Sequence, residues 1–213
     1  FGGSASYLVT PADRVRKINP ALGESGTLFA LAATARHALA GFDKRLPELI
    51  IGHGVLGRLL ARLTVVAGGE PATEWEVDEN RMAGAQGYQV IHPDQDPKRD
   101  YQSIYDASGC TDLLDQWIQR CGRGAEIVLA GFYSERINFA FPHAFMREMK
   151  FRIAAEWNAK DMTAINALID EGILSLDGLV THRSKAANAK QAYVQAFEDP
   201  TCYKMVLDWE AVN

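Results

Sequence analysis

A glycine-rich stretch carries the clearest chemical signal in this chain of 213 residues. Residues 52–57 read GHGVLG, which has the spacing G-x-G-x-x-G, and they directly follow a short apolar segment, Leu49–Ile51. At a strand-to-helix turn, Gly52 permits the tight turn and Gly54 lets the backbone approach a pyrophosphate. Gly57 then lets the helix pack closely on the strand. The pattern predicts a phosphate-binding turn.

The helix that would follow this turn is predicted over Val55–Val66, with leucines along one face. Its first N–H groups have no partner within the helix and lie at the positive end of its dipole, so they attract phosphate. Val55 and Leu56 would bind phosphate through their backbone N–H groups, which leaves their side chains free to pack. The chain has 18 glycines, so the spacing alone is a weak signal, and a purely structural glycine turn is the alternative.

An acidic residue follows at the distance that a dinucleotide site requires. Glu76 lies 19 residues after Gly57 (76 − 57), within the predicted strand Thr73–Val77. Its carboxylate can accept both ribose hydroxyls of NAD and would repel the 2′-phosphate of NADP, and Val77 rather than an arginine follows it. We therefore predict NAD as the cofactor, with Arg81 on the adenine side. If the turn were only structural, Glu76 would be a solvated surface charge.

Small residues follow two further predicted strands, Ser103–Asp106 and Ala125–Leu129. In open α/β sheets, ligands bind beyond the carboxyl ends of the strands near the switch point of the sheet. These turns are therefore expected to leave room for a ribose and a nicotinamide, although each alone fits an ordinary turn. The candidate cofactor-binding residues here are Ala107, Ser108, Gly109, Gly131 and Phe132.

The elements that must position these residues alternate between short strands and helices. This alternation predicts an α/β fold with a doubly wound, mainly parallel Rossmann sheet covered on both faces. Residues 1–19 are predicted as two short strands joined by a turn at Pro11–Asp13, and Gly41–Pro47 as a loop. The other predicted strands are Gln89–Ile91, Phe151–Ala155 and Lys204–Leu207. The other predicted helices are Leu28–Leu39, a short one near Glu79–Gln86, one through Leu113 to Ile118 that ends at Gly122–Gly124, Asp161–Glu171 and Ala186–Phe197.

The overall composition restricts the class of protein. Hydrophobic residues make up 47% and the net charge is −5, so the chain can form a sizeable core but lacks the basic face that nucleic acid or an anionic membrane requires. It contains no apolar run long enough to span a membrane. Three cysteines and no signal peptide at its start favour a reducing, cytoplasmic location, with the cysteines as small buried side chains.

The order of these motifs resembles the medium-chain dehydrogenase/reductase superfamily. Residues 1–19 are similar to the last strands of its GroES-like catalytic domain, and LFALAATARHAL is similar to the helix that enters its cofactor domain. GHGVLG, WEVDENR, YDASG and IVLAGFY resemble four of its strand ends, and DGLVTHR and KMVLD resemble the return to the catalytic domain. The resemblance implies a catalytic-domain end and linking helix at 1–43, an NAD-binding domain at 44–158 and a return to the catalytic domain at 159–213.

Longer phrases, NFAFPHAFMRE, AAEW and LSLDGLVTHRSKAA, resemble one branch of that superfamily. This resemblance implies oxidation of the 1-hydroxyethyl side chain of a tetrapyrrole, a bacteriochlorophyllide, to an acetyl group with NAD. It further implies a homodimer through the edge strand Phe151–Ala155. Most of the GroES-like domain would precede Phe1, including the segment that holds zinc in zinc-dependent relatives.

No catalytic base is assigned from the sequence. The resemblance places Thr34 where it can face the nicotinamide, although a helical threonine can also be packed. His37 suits a proton relay by its pKa range, but it also suits a helix-surface position, and the backbone of His53 matters more than its ring. The five histidines lie apart without i, i+4 pairs, so we expect no metal site from this chain alone.

The aromatic segment Gly131–Phe151 is a candidate wall for a flat chlorin, and otherwise belongs to the core or a subunit interface. Arg136 or Arg147 is a candidate partner for a substrate carboxylate, although most such arginines are solvated. Three other functions stay open. They are a superfamily member with a different alcohol or double-bond substrate, a nucleotide-binding module without chemistry, and an S-adenosylmethionine-dependent methyltransferase.

Overall fold

A computed structural model describes residues 4–39 and 45–209. The described residues fall into two compact units, one formed by residues 4–28 and 176–209 and the other by residues 29–175. The sequence-based boundaries lie at 43/44 and 158/159. The larger unit extends beyond both of them, because it includes the helix before the first strand of the sheet, Phe29–Leu39, and the helix after the last one, Ala159–Asp170. The functional assignment of the three sequence segments stays a prediction.

The larger unit is built on a six-stranded, fully parallel sheet with the strand order β3-β2-β1-β4-β5-β6. This order and the alternation with helices confirm the predicted doubly wound Rossmann sheet. The strands are β1 Leu49–Ile51, β2 Thr73–Trp75, β3 Gln89–Ile91, β4 Tyr101–Asp106, β5 Cys121–Leu129 and β6 Lys150–Ile153. The helices are α1 Phe29–Leu39, α2 Val55–Val66, α3 Leu114–Arg120, α4 Phe141–Met146 and α5 Ala159–Asp170.

The central strands are buried on both faces. In β1, Leu49 and Ile51 belong to a cluster with Trp117 and Ile118 of α3, whereas Ile50 between them is buried on the opposite face. Helix α1 packs against α2 and α5, while α3 packs against α4. Side chains along a strand point alternately to the two faces of the sheet. When both faces are buried, the sequence of the strand is therefore a continuous apolar run.

The smaller unit contains a parallel pair of strands joined through a helix. Strand β7, His182–Lys185, pairs with β8, Met205–Asp208, and α6, Ala189–Glu198, lies between them in the chain. Arg183 forms an ion pair with Glu24 within the same unit. The strand predicted at Lys204–Leu207 is shifted by one residue, to Met205–Asp208. Strand β7 was not predicted.

Several sequence-based predictions are wrong in detail. Residues 4–19 form no strand and contain only a 3₁₀ turn at Ala12–Arg14, and Phe1–Gly3 lie outside the described residues. Tyr7 is 93% exposed, and a lone pair of short strands without an apolar face to bury is not stable in water. Of the loop predicted at 41–47, residues 45–47 have no regular secondary structure and the rest lies outside the description.

Other differences concern where elements begin and end. The helix predicted near 79–86 is a single 3₁₀ turn, Glu79–Arg81. Helix α3 ends at Arg120, before the glycines at 122 and 124, and β5 begins at Cys121 and runs through both. Helix α4 was not predicted, because its apolar residues are too few to show a helical period.

Candidate functional site

The glycine turn lies at the switch point of the sheet, where β1 and β4 are neighbours and their following segments diverge. Gly52 follows β1 directly and has a φ of 96°, a conformation that favours glycine. A Cβ at this position would also lie 3.0 Å from the Cα of Ser108, in the turn after β4. Glycine is therefore required both for the backbone conformation and for the contact between the two turns.

Gly57 is required because α2 lies directly on the turn and on β2. A side chain at this position would collide with the carbonyl oxygen of Gly52 and with the carboxylate of Glu74. Alanine is normally the better helix former by about 1 kcal/mol, so steric contact decides the residue here. The structure thus gives the third glycine of the motif the packing role that the pattern predicts.

The amino end of α2 is open to a ligand. Its N-cap residue is Gly54, which has no side chain to occupy the first N–H groups of the helix. The side chain of Val55 is buried and that of Leu56 is half-buried, so both pack as expected while their N–H groups lie at the positive end of the dipole. A Cβ on Gly54 would lie 3.1 Å from a guanidinium nitrogen of Arg81, which places that cation beside the turn.

Glu76 follows β2 and reaches back to the glycine turn. Its Oε2 accepts a hydrogen bond from the N–H of His53 (3.1 Å), and its Oε1 accepts from those of Val77 (2.8 Å) and Asp78 (3.1 Å). The Nε of Arg81 lies 3.8 Å from Oε2. A carboxylate has about four acceptor positions, so Glu76 is fixed in place by these three hydrogen bonds and keeps about one position for a ribose hydroxyl.

The ring of His53 is completely buried and joins the turn to the loop at residues 81–88. Its Nδ1 lies 2.7 Å from the carbonyl oxygen of Arg81, and its Nε2 lies 2.9 Å from the hydroxyl of Tyr88. Burial, assisted by the charge of Arg58, lowers the pKa of His53 to about 4. The ring is therefore neutral near pH 7. Because a carbonyl only accepts, Nδ1–H donates to Arg81 and Nε2 accepts from Tyr88. The sequence-based view that the backbone of His53 matters more than its ring did not foresee these two hydrogen bonds of the ring.

Glu74 is a buried carboxyl beneath the glycine turn. It is completely buried in β2, and neither carboxylate oxygen has a hydrogen-bond partner among residues 4–39 and 45–209. Its Oε2 lies 3.6 Å from Nε2 of His53. Burial raises the pKa of Glu74 well above its ordinary value, Arg58 and Arg62 oppose this shift, and the negative charge of Glu76 adds to it. The carboxyl is therefore held in its neutral form.

Asp106 joins the ends of β4 and β5. Its fully buried carboxylate accepts hydrogen bonds from the N–H (3.0 Å) and hydroxyl (2.6 Å) of Ser108 and from the hydroxyl of Tyr133. Its carbonyl oxygen accepts from the N–H groups of Ala130 and Gly131, each at 2.9 Å. Burial raises the pKa of Asp106, whereas these hydrogen bonds oppose the shift.

The two turns after β4 and β5 touch through glycines. A Cβ on Gly109, which has a φ of 71°, would lie 2.7 Å from the carbonyl oxygen of Phe132. A Cβ on Gly131 would lie 2.9 Å from the N of Gly109 and 3.5 Å from the carbonyl carbon of Ala107. The side chain of Phe132 is 90% exposed at this edge of the sheet. The five candidate residues of these turns are thus brought together.

Thr34 and His37 lie on α1, and their side chains form hydrogen bonds with residues outside these turns. The hydroxyl of half-exposed Thr34 donates to the carbonyl of Ala30 (3.0 Å), and its role toward a cofactor stays a prediction. Nδ1 of His37 and a guanidinium nitrogen of Arg36 bind the two oxygens of Asp161, at 2.9 and 2.5 Å. Burial acts to raise the pKa of Asp161, but hydrogen bonds from its neighbours outweigh burial and lower it. His37 therefore has a structural partner.

Part of the aromatic segment forms a groove at the edge of the sheet, and its role as a wall for a chlorin stays a prediction. Phe139 stacks on Phe151 of β6 with ring centroids 4.9 Å apart, and Phe141 lies 5.6 Å from Phe145. The groove has a volume of about 570 Å³ and includes Met149, which precedes β6. It lies toward the amino ends of β5 and β6, whereas the glycine turn lies at the carboxyl end of β1.

The two arginines considered as carboxylate partners differ in position. The Nε of Arg147 donates to the carbonyl of Cys121 (3.2 Å), and a terminal nitrogen lies 3.4 Å from the carbonyl of His143. Arg147 therefore holds the start of β5, and Arg136 is exposed on the segment after β5. Burial raises the pKa of the Cys121 thiol to about 12, in agreement with a packing role for this cysteine.

Two broader findings concern metals and membranes. Within the described ranges, no three His, Cys, Asp or Glu side chains lie close enough together to hold a metal ion. The helices in the same part of the chain are all too short or too polar to cross a bilayer.

Fold and turn together define a dinucleotide-binding domain of the medium-chain dehydrogenase type. A short chain alcohol dehydrogenase of Escherichia coli CFT073, solved with NADH, matches with a TM-score of 0.81 over 94% of this chain and 64% of that chain, at 18% identity. A Sinorhizobium meliloti dehydrogenase bound to NADP also has a TM-score of 0.81, over 97% and 66% of the two chains, at 16% identity. At such identities the likeness shows the fold alone.

Sequence comparison identifies the family. No protein-family model matches the chain. It is 60% identical over 210 residues to the 2-desacetyl-2-hydroxyethyl bacteriochlorophyllide A dehydrogenase of Rhodobacter capsulatus, covering 99% of this chain and 67% of the relative. The enzyme of the same name from Cereibacter sphaeroides is 57% identical over 211 residues, with 99% and 66% covered. The chain therefore belongs to the family of 2-desacetyl-2-hydroxyethyl bacteriochlorophyllide A dehydrogenases, and it spans about two thirds of their length.

Sequence reasoning missed Glu74, Arg58 and Tyr133 as parts of this site. A signal existed for Glu74, because it stands inside a strand of a sheet that must be buried on both faces. The contact between Tyr133 and Asp106 joins residues 27 apart and depends on the register of β4 and β5. No spacing rule gives that register from the sequence.

The buried Glu74 predicts a specific dependence of stability on pH. Because its pKa is raised in the fold, the folded chain keeps a proton that the unfolded chain has released. Stability is therefore lost as the pH rises from the ordinary carboxyl range toward the folded pKa, at about 1.4 kcal/mol per pH unit. Glu74→Gln removes this loss, so its melting temperature should exceed that of the wild type by a margin that grows with pH.

The exposed Glu70 provides the matched control, since Glu70→Gln should follow the wild-type curve at every pH. Thermal unfolding followed by circular dichroism across a pH series measures all three proteins. A constant difference between Glu74→Gln and the wild type across the series would contradict a neutral Glu74.

Proposed function

We propose that the protein oxidises the 3-(1-hydroxyethyl) side chain of a bacteriochlorophyllide to an acetyl group, with NAD as the oxidant, in bacteriochlorophyll biosynthesis. The carbinol carbon loses a hydride and the hydroxyl loses a proton, so the alcohol becomes a ketone. The observation that carries this proposal is the 60% identity to a bacteriochlorophyllide dehydrogenase across 99% of the chain. The glycine turn and the buried acidic residue at the switch point support a dinucleotide as the partner of that reaction.

The geometry of the turn fits the pyrophosphate of the cofactor. Gly52 and Gly54 themselves add no side chain to the turn, and the first N–H groups of α2 are not capped by a side chain. These groups would bind the phosphate oxygens through hydrogen bonds strengthened by the helix dipole. When bound, NAD accepts the hydride from the carbinol carbon.

The other candidate residues would orient the two ends of the cofactor. Glu76 would accept a hydroxyl of the adenine-side ribose, and Arg81 would lie against the adenine. The touching turns that contain Ser108 and Gly131 would hold the nicotinamide-side ribose and the nicotinamide. Thr34 would face the nicotinamide from α1. Each role follows from the place of the residue at the carboxyl edge of the sheet or from the resemblance.

The substrate is tested with protein expressed from its complete gene, NAD and the hydroxyethyl pigment. We expect NADH to form in proportion to loss of the pigment and gain of its acetyl product, followed by absorbance spectra and mass spectrometry. If NADH binds but the pigment spectrum does not change, the pigment is not the substrate. A screen of other secondary alcohols then tests the alternative of a different dehydrogenase, and binding without any turnover supports a nucleotide-binding module.

The preference for NAD over NADP is proposed to depend on the charge of Glu76. Its carboxylate is 8% exposed, so a 2′-phosphate placed against it would meet a poorly screened negative charge. Some dehydrogenases with this fold bind NADP, as the Sinorhizobium meliloti structure shows for that protein. The acidic side chain at this position, therefore, is the feature that separates the two cofactors.

Substitution of Glu76 should lower this preference. Glu76→Gln keeps the size and one acceptor oxygen but removes the charge, so the ratio of NAD to NADP affinity should fall about tenfold, which is 1.4 kcal/mol. Isothermal titration of NADH and NADPH gives both constants. Glu79→Gln, in the exposed 3₁₀ turn nearby, is the matched control and should leave the ratio unchanged. An unchanged ratio in Glu76→Gln would assign the preference to another residue.

A homodimer is proposed as the assembly, with β6 as the contact. In the described part of the chain, β6 is the edge of the six-stranded sheet, and an edge strand presents backbone N–H and C=O groups with which a second strand can pair. Ile153 on this strand is 77% exposed, and the exposed rings of Phe141 and Phe145 on α4 line a groove together with Phe151 of the same strand. A second copy of the same edge satisfies both the backbone groups and the apolar surface.

A charge on this edge should therefore separate the subunits. Ile153→Lys should raise the dissociation constant of the dimer at least tenfold, because a lysine would be buried against its symmetry mate. Sedimentation velocity over a concentration series measures this constant. Ile173→Lys changes an exposed isoleucine that follows α5 and should leave the dimer intact. A monomeric wild type, or a dimer that tolerates Ile153→Lys, would exclude β6 as the contact.

A further inference from the structure

The hydroxyl of Tyr133 connects the turn after β5 to the turn after β4. It donates a hydrogen bond to Oδ2 of Asp106, the last residue of β4. Tyr133 itself lies four residues beyond the end of β5 at Leu129. The bond therefore joins two segments that leave neighbouring strands at the same edge of the sheet.

The acceptor of this bond is rigid. Asp106 is completely buried, and Ser108 donates to its Oδ1 through both its N–H and its hydroxyl. Its backbone carbonyl also receives the N–H groups of Ala130 and Gly131. A hydrogen bond to a carboxylate fixed at so many points fixes the donor as well.

Between Gly131, whose N–H binds Asp106, and Ala140, whose N–H binds the side chain of Asp115, the segment that carries the donor has no regular secondary structure. Residues 130–140 contain no helix or strand, so no backbone ladder holds them. The ring of Tyr133 packs against the buried cluster under the sheet, and its hydroxyl then sets how far the segment stands from β4. Phe132, the neighbour of Tyr133, places its carbonyl oxygen against Gly109.

We propose that Tyr133 is a positioning residue for the nicotinamide half of the cofactor, because its hydroxyl holds the Gly131–Phe132 backbone at a fixed distance from Ser108 and Gly109. This assignment rests on the proposed function. Tyr133 contacts Asp106 and not the reacting atoms, so it acts through the backbone of its neighbours. The adenine half of the site lies at Glu76 and the glycine turn, and the glycine turn contacts Ser108 rather than the segment that carries Tyr133.

The separation of the two halves makes the role measurable with two ligands. ADP-ribose contains the adenine half and the pyrophosphate but lacks the nicotinamide, whereas NADH contains both halves. Tyr133→Phe removes only the hydroxyl. It should lower the affinity for NADH roughly three- to tenfold, because part of the free energy of one lost hydrogen bond to a carboxylate is transmitted to the ligand. The affinity for ADP-ribose should change by no more than about twofold.

Tyr105→Phe is the matched control. Tyr105 lies on β4 next to Asp106, is completely buried, and donates its hydroxyl to the carbonyl of Arg45 (2.8 Å). The same chemical change there should alter the affinity of neither ligand. Isothermal titration of both ligands is combined with thermal unfolding of every variant, all made in protein expressed from its complete gene.

The outcomes distinguish this assignment from the proposed function. Unchanged NADH affinity in Tyr133→Phe, or equal loss for both ligands, overturns the assignment, since equal loss indicates a general packing defect. If the wild type binds neither ligand, the proposed function fails and this assignment with it. If Tyr133→Phe does not fold, Asp106→Asn weakens the same bond from the acceptor side and should reproduce the selective loss of NADH affinity. Equal loss of affinity for both ligands in Asp106→Asn also overturns the assignment of Tyr133.

Discussion

The close approach of backbone segments at the switch point determines the rest of this structure. Gly52 packs against Ser108, and Gly57 packs against Gly52 and Glu74, at distances that leave no room for a β-carbon. These contacts bring the ends of β1 and β4 and the start of α2 to one place. The N–H groups of α2, the carboxylate of Glu76 and the turn after β4 face one another only because no side chain separates them.

A second consequence of this packing is the burial of charge. Since α2 lies directly on β2, the side chains between them have no access to water, and Glu74 and His53 are held neutral there. Because Glu74 and His53 are neutral, they add no charge beneath the glycine turn to the helix dipole and the nearby charges of Arg58, Glu76 and Arg81. Glu74 and His53 therefore shape the turn without adding charge to it.

Much of this arrangement could be predicted from the sequence, because local residue patterns define it. The parts that depend on tertiary contacts could not be predicted. Strands β1 and β3 and helix α2 were predicted to the residue, because short apolar runs bounded by glycine or polar residues define them locally. Residues 4–19 were wrongly predicted as strands, since alternation alone cannot supply a neighbouring strand. The bond from Tyr133 to Asp106 depends on the register of two strands, and the position of the aromatic groove depends on how α4 packs, so neither is encoded in local spacing.

Arg58 fixes the shape of the loop at residues 81–84. From α2 its guanidinium donates to the carbonyl oxygens of His53 (3.1 Å), Arg81 (3.0 Å), Ala83 (2.7 Å) and Gly84 (3.2 Å). The conformational entropy of that loop is thus lost when the domain folds, so a dinucleotide meets a preorganised surface. A dinucleotide bound at this end would therefore not have to order the loop first.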